Sequence, residues 1–147
     1  MRPMAETASQ TTLIKAAPQE CFATAIEFER YPEWAKDVKE AVVRERDEDG
    51  RATLVEFRAS ALGRSTHYTL AYDYSGAPER MSWKLERGAI MRAIDGAYTF
   101  TPTDDGSTHV RYDLSIELVV PLPGFVKRRA EVRILNTLKE LKARVES

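Results

Sequence analysis

Residues 51–74, RATLVEFRASALGRSTHYTLAYDY, alternate apolar and polar side chains in two runs separated by Gly63. In the first run Val55, Phe57, Ala59 and Ala61 share one parity, and Glu56, Arg58 and Ser60 the other. In the second, Tyr68, Leu70, Tyr72 and Tyr74 stand opposite His67, Thr69 and Asp73. Successive side chains of a strand point to opposite faces, so each run predicts a strand with one buried and one solvated face. A glycine between two such runs predicts a tight reversal, hence an antiparallel pair.

Working outward from this hairpin, the pattern continues on both sides. Val38–Arg46 reads as the preceding strand, joined to Arg51–Leu62 by the turn Asp47-Glu48-Asp49-Gly50, with a positive φ expected at Gly50. Downstream, Ser75-Gly76-Ala77-Pro78 breaks the chain before a short strand, Met81–Glu86, and a longer one, Ile90–Thr101. Asp104-Asp105-Gly106 forms the next turn, and Ser107–Val119 places Val110, Tyr112, Leu114, Ile116 and Leu118 on one face. Short connections of this kind build an antiparallel meander. Near the N-terminus a strand is expected from Ala5 to Ala16. After it, Pro18, Glu20 and the spacing of Cys21, Phe22, Ala25 and Ile26 predict a short helix ending before Tyr31-Pro32. A second short helical turn is expected to open at Pro32-Glu33-Trp34.

Pro121 and Pro123-Gly124 stop the last strand. From Phe125 to Glu146, Val126, Ala130, Ile134, Leu138, Leu141 and Val145 recur every three or four residues, which predicts a one-faced helix of about six turns. Its apolar stripe has only the sheet face to bury against. The fold class is therefore α+β, an antiparallel sheet wrapped on a long C-terminal helix with two short helices after the first strand.

The totals set limits on function. A chain of 147 residues, 43% hydrophobic and 31% charged, is one domain over residues 1–147, with the first five expected to be disordered. A net charge of −1 argues against a nucleic-acid partner. One cysteine, Cys21, permits no intramolecular disulfide, and two histidines, His67 and His109, fall on charged strand faces, so no metal or other cofactor is expected. No signal-like or membrane-spanning apolar run is visible, which points to a cytoplasmic protein without stable membrane insertion. A homodimer is left open.

Several tyrosines on one inner sheet face ask for partners for their hydroxyls, and a lined cavity meets that demand. The bland alternative puts those hydroxyls in water at the strand ends. Candidate cavity walls are Trp34, Phe57, Tyr68, Leu70, Tyr72, Trp83, Tyr98 and Phe100, with Leu122, Phe125 and Val126 at the start of the last helix. Arg92 shares parity with Ile94, Tyr98 and Phe100, so its guanidinium either faces a ligand carboxylate or phosphate, or is turned away by a bulge near Gly96 or a place at the cavity mouth. With the register flipped, Asp95 would face inward instead. Cys21 reads as a small core residue, and no catalytic pair is found among the inward positions. Lys127, Arg128 and Arg129 read as a solvated helix face.

Four stretches together resemble the START-like superfamily (SRPBCC), which groups polyketide cyclases, dehydrases and lipid-transfer domains. They are Ala16-Ala17-Pro18-Gln19-Glu20-Cys21-Phe22, Glu27-Phe28-Glu29-Arg30-Tyr31-Pro32-Glu33-Trp34, Gly96-Ala97-Tyr98-Thr99-Phe100 leading into Asp105-Gly106-Ser107-Thr108, and Leu138-Lys139-Glu140-Leu141-Lys142. The resemblance covers nearly the whole chain, and Tyr31-Pro32-Glu33-Trp34 is its most specific part. It implies the helix-grip fold, a curved sheet of about seven antiparallel strands around the C-terminal helix, with a hydrophobic cavity between them. It also implies that the start of that helix gates the cavity. The expected function is binding, carriage or sensing of a small hydrophobic ligand, a lipid, isoprenoid or polyketide-like molecule, without catalysis. The alternatives are an aromatase/cyclase acting on a polyketide-like substrate and a regulatory interaction protein with a filled interior.

Overall fold

A computed structural model describes residues 6–61, 64–88, 91–118 and 136–147. The strands are β1 (Glu6–Ile14), β2 (Val38–Arg46), β3 (Ala52–Ala61), β4 (Arg64–Asp73), β5 (Arg80–Gly88), β6 (Met91–Pro102) and β7 (Thr108–Leu118). Helix α1 (Pro18–Ala25) and a 3₁₀ segment (Phe28–Glu33) lie between β1 and β2, and helix α2 is described over residues 136–146. The seven strands form one sheet in the order β1-β7-β6-β5-β4-β3-β2, with every neighbouring pair antiparallel. β2 to β7 are thus a meander, and β1 crosses over to close the far edge beside β7. This is the helix-grip architecture, a curved antiparallel sheet with the C-terminal helix on its inner face.

Strand alternation assigns the faces of β3 and β4 as expected. Val55, Phe57 and Ala59 are buried, and their partners across β4 include Leu70 and Tyr68 in the register Val55↔Leu70 and Phe57↔Tyr68. Gly50 closes the β2–β3 turn at φ 83°, a conformation glycine adopts without strain. The Asp47 carboxylate accepts from the backbone N–H groups of Asp49 and Arg51 in the same turn.

The second helical element differs from its expected position. It begins at Phe28 rather than Pro32 and keeps Pro32 inside a single 3₁₀ segment. Phe28, Tyr31 and Trp34 stand three residues apart, and a 3₁₀ helix has three residues per turn, so the three rings share one face. Pro32 is tolerated because such a short segment has few internal N–H bonds to lose. Burying that aromatic face against β3 and β4 sets where the segment starts.

Helix α2 is held from two sides. Leu138 and Leu141 are fully buried against the sheet, each worth on the order of 2 kcal/mol of apolar burial. Its polar side chains grip the neighbouring backbone. Glu140 accepts from the Lys36 N–H at 3.0 Å and Glu146 from the Lys15 N–H at 2.8 Å. Lys142 donates to the Leu13 carbonyl at 2.7 Å, and Arg144 pairs with Glu33 at 2.8 Å. No helix among the described residues is long and apolar enough to cross a membrane.

Candidate functional site

The 3₁₀ segment and the inner faces of β2 to β7 meet α2 around a cavity of about 190 Å³. Among the described residues eight aromatic rings line it: Tyr31, Trp34, Phe57, Tyr68, Tyr72, Trp83, Tyr98 and Tyr112. Leu70, Met81, Met91, Ile94, Leu114 and Ile116 extend the apolar wall, with the smaller Ala35, Val38 and Ala59 beside them. Asp37, Ser60, Thr137 and Glu140 add polar groups where β2 begins and β3 ends against α2. No Lys, Arg or His is among the described lining residues.

The rings form a connected network. Tyr31 lies 4.8 Å from Trp34, Phe57 stacks on Tyr68 at 5.4 Å, and Trp83 lies between Tyr72, Tyr98 and Tyr112 at 5.8, 5.4 and 5.7 Å. Contacts of this kind are worth about 0.5–1.5 kcal/mol each beyond burial, which holds the wall in one shape. Five of the six tyrosines of the chain reach the cavity. The sixth, Tyr74, is buried elsewhere and donates its hydroxyl to the Ala52 carbonyl at 2.6 Å.

The polar atoms divide into satisfied and unsatisfied ones. Tyr31 donates to the Ala25 carbonyl, and Glu140 is engaged by the Lys36 N–H. The hydroxyls of Tyr72, Tyr98 and Tyr112 have no hydrogen-bond partner among the described residues, and the Trp34 Nε1 proton is buried without one. Burial pushes the phenols of Tyr31, Tyr72, Tyr98 and Tyr112 above the usual tyrosine range, so they stay neutral donors at any physiological pH. An unmet donor facing a cavity is a place for a ligand acceptor.

Of the residues expected to form the walls, Trp34, Phe57, Tyr68, Leu70, Tyr72, Trp83 and Tyr98 line the cavity. Phe100 does not. It is buried 6.1 Å from Phe22, where it docks α1 onto β6. Arg92 does not face inward either, contrary to the simple parity of β6. The β6–β7 register runs Met91↔Leu118 and then Ala93↔Glu117, so Arg92 is the extra residue of a β-bulge. Met91 takes the inward place and Arg92 is exposed, 3.5 Å from Glu117. The bulge falls before Ile94 rather than near Gly96, so Asp95 remains on the outer face across from Lys84. Leu122, Phe125 and Val126 lie outside the described residues.

Sequence reasoning passed over Tyr31, Tyr112, Thr137 and Glu140 as wall residues. The three-residue spacing of Phe28, Tyr31 and Trp34 was the available signal for the first. Tyr112 had the right parity in its strand. Thr137 and Glu140 flank the apolar stripe of α2, and only its docking angle brings them to the cavity.

A second, larger crevice of about 460 Å³ lies between the 3₁₀ segment and the β2–β3 turn. Its charges satisfy one another: Arg46 pairs with Glu29 at 2.8 Å, Arg30 with Glu27 at 3.3 Å and Arg51 with Asp49 at 3.2 Å. It is an ion-paired surface crevice, whereas the smaller cavity is walled by aromatic rings.

A grip of sheet on helix around an aromatic cavity defines a small-molecule-binding architecture. The chain belongs to the polyketide cyclase / dehydrase and lipid transport family, whose sequence profile matches residues 5–146. Among solved structures it is similar to a START superfamily protein from Mycobacterium smegmatis, at 26% identity and a TM-score of 0.88 over 95% of this chain and 97% of that one. It shares its fold with the ZhuI aromatase/cyclase from Streptomyces sp. R1128, at 11% identity and a TM-score of 0.81 over 97% and 94% of the two chains. TTHA0849 from Thermus thermophilus gives 20% identity and a TM-score of 0.79 over 95% and 96%. The sequence matches no curated protein.

Proposed function

We propose that the protein binds a small hydrophobic molecule in this cavity and carries or senses it without chemical turnover. The observation that supports this most is the wall itself, which among the described residues is eight rings and nine aliphatic or thioether side chains around about 190 Å³. Its two carboxylates are poor candidates for acid–base work. Glu140 is tied to the Lys36 amide, and Asp37 is solvent-exposed at the margin. The volume supports a compact ligand, since an apolar cavity of about 150 Å³ admits benzene and ordinary drug-sized sites run to about 300–1,000 Å³. One or two rings, or a short branched chain, match that space.

Native mass spectrometry of the purified protein, against the same protein after denaturation and solvent extraction, tests this reading. A discrete adduct lost on extraction is the expected result. A bare mass together with no response of the two tryptophans, both in the cavity wall, to any apolar probe would refute it.

The aromatase/cyclase reading draws on the phenols of Tyr72, Tyr98 and Tyr112, which have no hydrogen-bond partner among the described residues and could hold the oxygens of a poly-β-keto chain, and on the likeness to the Streptomyces aromatase/cyclase. In that case confinement would set the fold of the chain before ring closure. It predicts cyclised product in a reconstituted assay and its loss on substituting those tyrosines by phenylalanine.

A further inference from the structure

Gly96 has no side chain, and Trp83 stands directly across from it in the β5–β6 register. A Cβ built on Gly96 would come closer than 3.0 Å to three indole atoms of Trp83, Cε2, Cζ2 and Nε1, where ordinary contact begins near 3.4 Å. The indole therefore lies flat over the bare backbone of β6, in the volume a side chain would take. From there it reaches across the sheet to Tyr72 on one side and to Tyr98 and Tyr112 on the other. The backbone of β6 closes the space beneath the ring, and the cavity lies above it. Any side chain at position 96 thus lifts the indole into the cavity by on the order of 1 Å, which takes up a substantial part of about 190 Å³.

Three phenols, Tyr72, Tyr98 and Tyr112, stand around this ring. The hydroxyls of Tyr72, Tyr98 and Tyr112 have no partner among the described residues, and the Trp34 Nε1 proton on another wall is also unmet. A hydrocarbon would leave all of them unsatisfied, and a molecule with oxygen acceptors would not. The arrangement combines a flat aromatic floor, a depth set by the missing side chain, and neutral donors at its rim.

We propose that Gly96 and Trp83 are the specificity-determining floor of the cavity, selecting a flat ligand of one or two fused rings that carries carbonyl oxygens. This deepens the carrier reading and rests on it, since it presupposes that the cavity is a ligand site. Gly96 acts through Trp83 and is a positioning residue. Trp83 is the surface that the ligand stacks on.

The test is a ligand-observed NMR titration of the full chain with four probes: acetophenone, 2-acetylnaphthalene, naphthalene and decanoate. The wild type is expected to bind 2-acetylnaphthalene at least tenfold more tightly than naphthalene or decanoate. Gly96→Ala is expected to weaken 2-acetylnaphthalene at least tenfold and acetophenone less than threefold, because only the longer ligand needs the full depth. Trp83→Phe in the Gly96→Ala background is expected to restore the two-ring ligand, since a phenyl ring clears the new methyl. If Gly96→Ala does not fold, Trp83→Phe alone carries the test by admitting 2-acetylanthracene, which the wild type excludes. Unchanged two-ring binding in Gly96→Ala, or exclusion of the three-ring ketone by Trp83→Phe, overturns the floor. Equal affinity for naphthalene and its ketone overturns the demand for an acceptor. A wild type that binds none of the four refutes the ligand reading itself.

Discussion

Tyr74 and Tyr98 are both buried tyrosines of the inner sheet face, and removing one hydroxyl from each has sharply different expected effects. The Tyr74 hydroxyl donates to the Ala52 carbonyl at 2.6 Å, in a place where both residues are almost inaccessible. Tyr74→Phe removes that donor and leaves a buried acceptor short of one bond, which costs about 1–2 kcal/mol. The ring contacts survive in phenylalanine, including the Arg51 guanidinium 4.9 Å above the ring. For a chain of this size each kcal/mol moves the midpoint by about 2–4 °C, so Tm should fall by roughly 2–8 °C. The Tyr98 hydroxyl has no partner among the described residues, although its side chain is only 3% exposed. Tyr98→Phe discards an unmet polar group and should change stability by less than about 0.5 kcal/mol. Urea unfolding of ligand-free protein, followed by circular dichroism with the m-value checked for constancy, separates the two. A Tyr98→Phe penalty equal to that of Tyr74→Phe would show that the Tyr98 hydroxyl has a protein acceptor, and the cavity donors would lose their claim on a ligand.

High pH should unfold the protein cooperatively. Tyr31, Tyr72, Tyr98 and Tyr112 are held above their ordinary range by burial, while the unfolded chain ionises its phenols near pH 10. Raised folded-state values mean that this contribution is complete below about pH 10 and is lost as pH rises beyond it, at about 1.4 kcal/mol per phenol per pH unit. Phenolate absorbance near 295 nm should appear in one step with loss of secondary structure, and smooth titration in a folded protein would contradict the burial. Leu138→Ala, at a fully buried site on α2, should cost about 2–5 kcal/mol in the same urea assay, and a loss under 1 kcal/mol would mean that α2 is not docked as described. Cys21 is fully buried with its thiol pushed up by burial, so a disulfide reagent should label it only as fast as the protein unfolds. Labelling within seconds in native buffer would be the contrary result.

Much of this fold is legible in the amino-acid sequence. In β3, β4 and β7 the alternation of residues 55–59, 68–74 and 110–116 assigns faces correctly, because the pleat repeats every two residues wherever the ladder is regular. The apolar repeat through Leu138 and Leu141 marked the buried stripe of α2 for the same kind of reason, with a period of about 3.6. The aromatic character of the inner face followed from composition and parity together, and most of the wall residues could be named from it.

The rest needed pairing between strands and docking between layers. Parity placed Arg92 inward, but the extra residue that turns it outward exists only relative to β7, where Leu118 and Glu117 are consecutive partners of Met91 and Ala93. Glu140 and Thr137 belong to the cavity because α2 docks where Lys36 precedes β2, the Lys36 N–H donating to the Glu140 carboxylate. Gly96 reads in the sequence as a place for a bulge, and its meaning lies instead in Trp83, 13 positions away in sequence and directly opposite in space. Local periodicity is a property of the backbone and is written along the chain. Bulges, docking angles and the volume one residue leaves for another are properties of two segments at once, and only their meeting determines them.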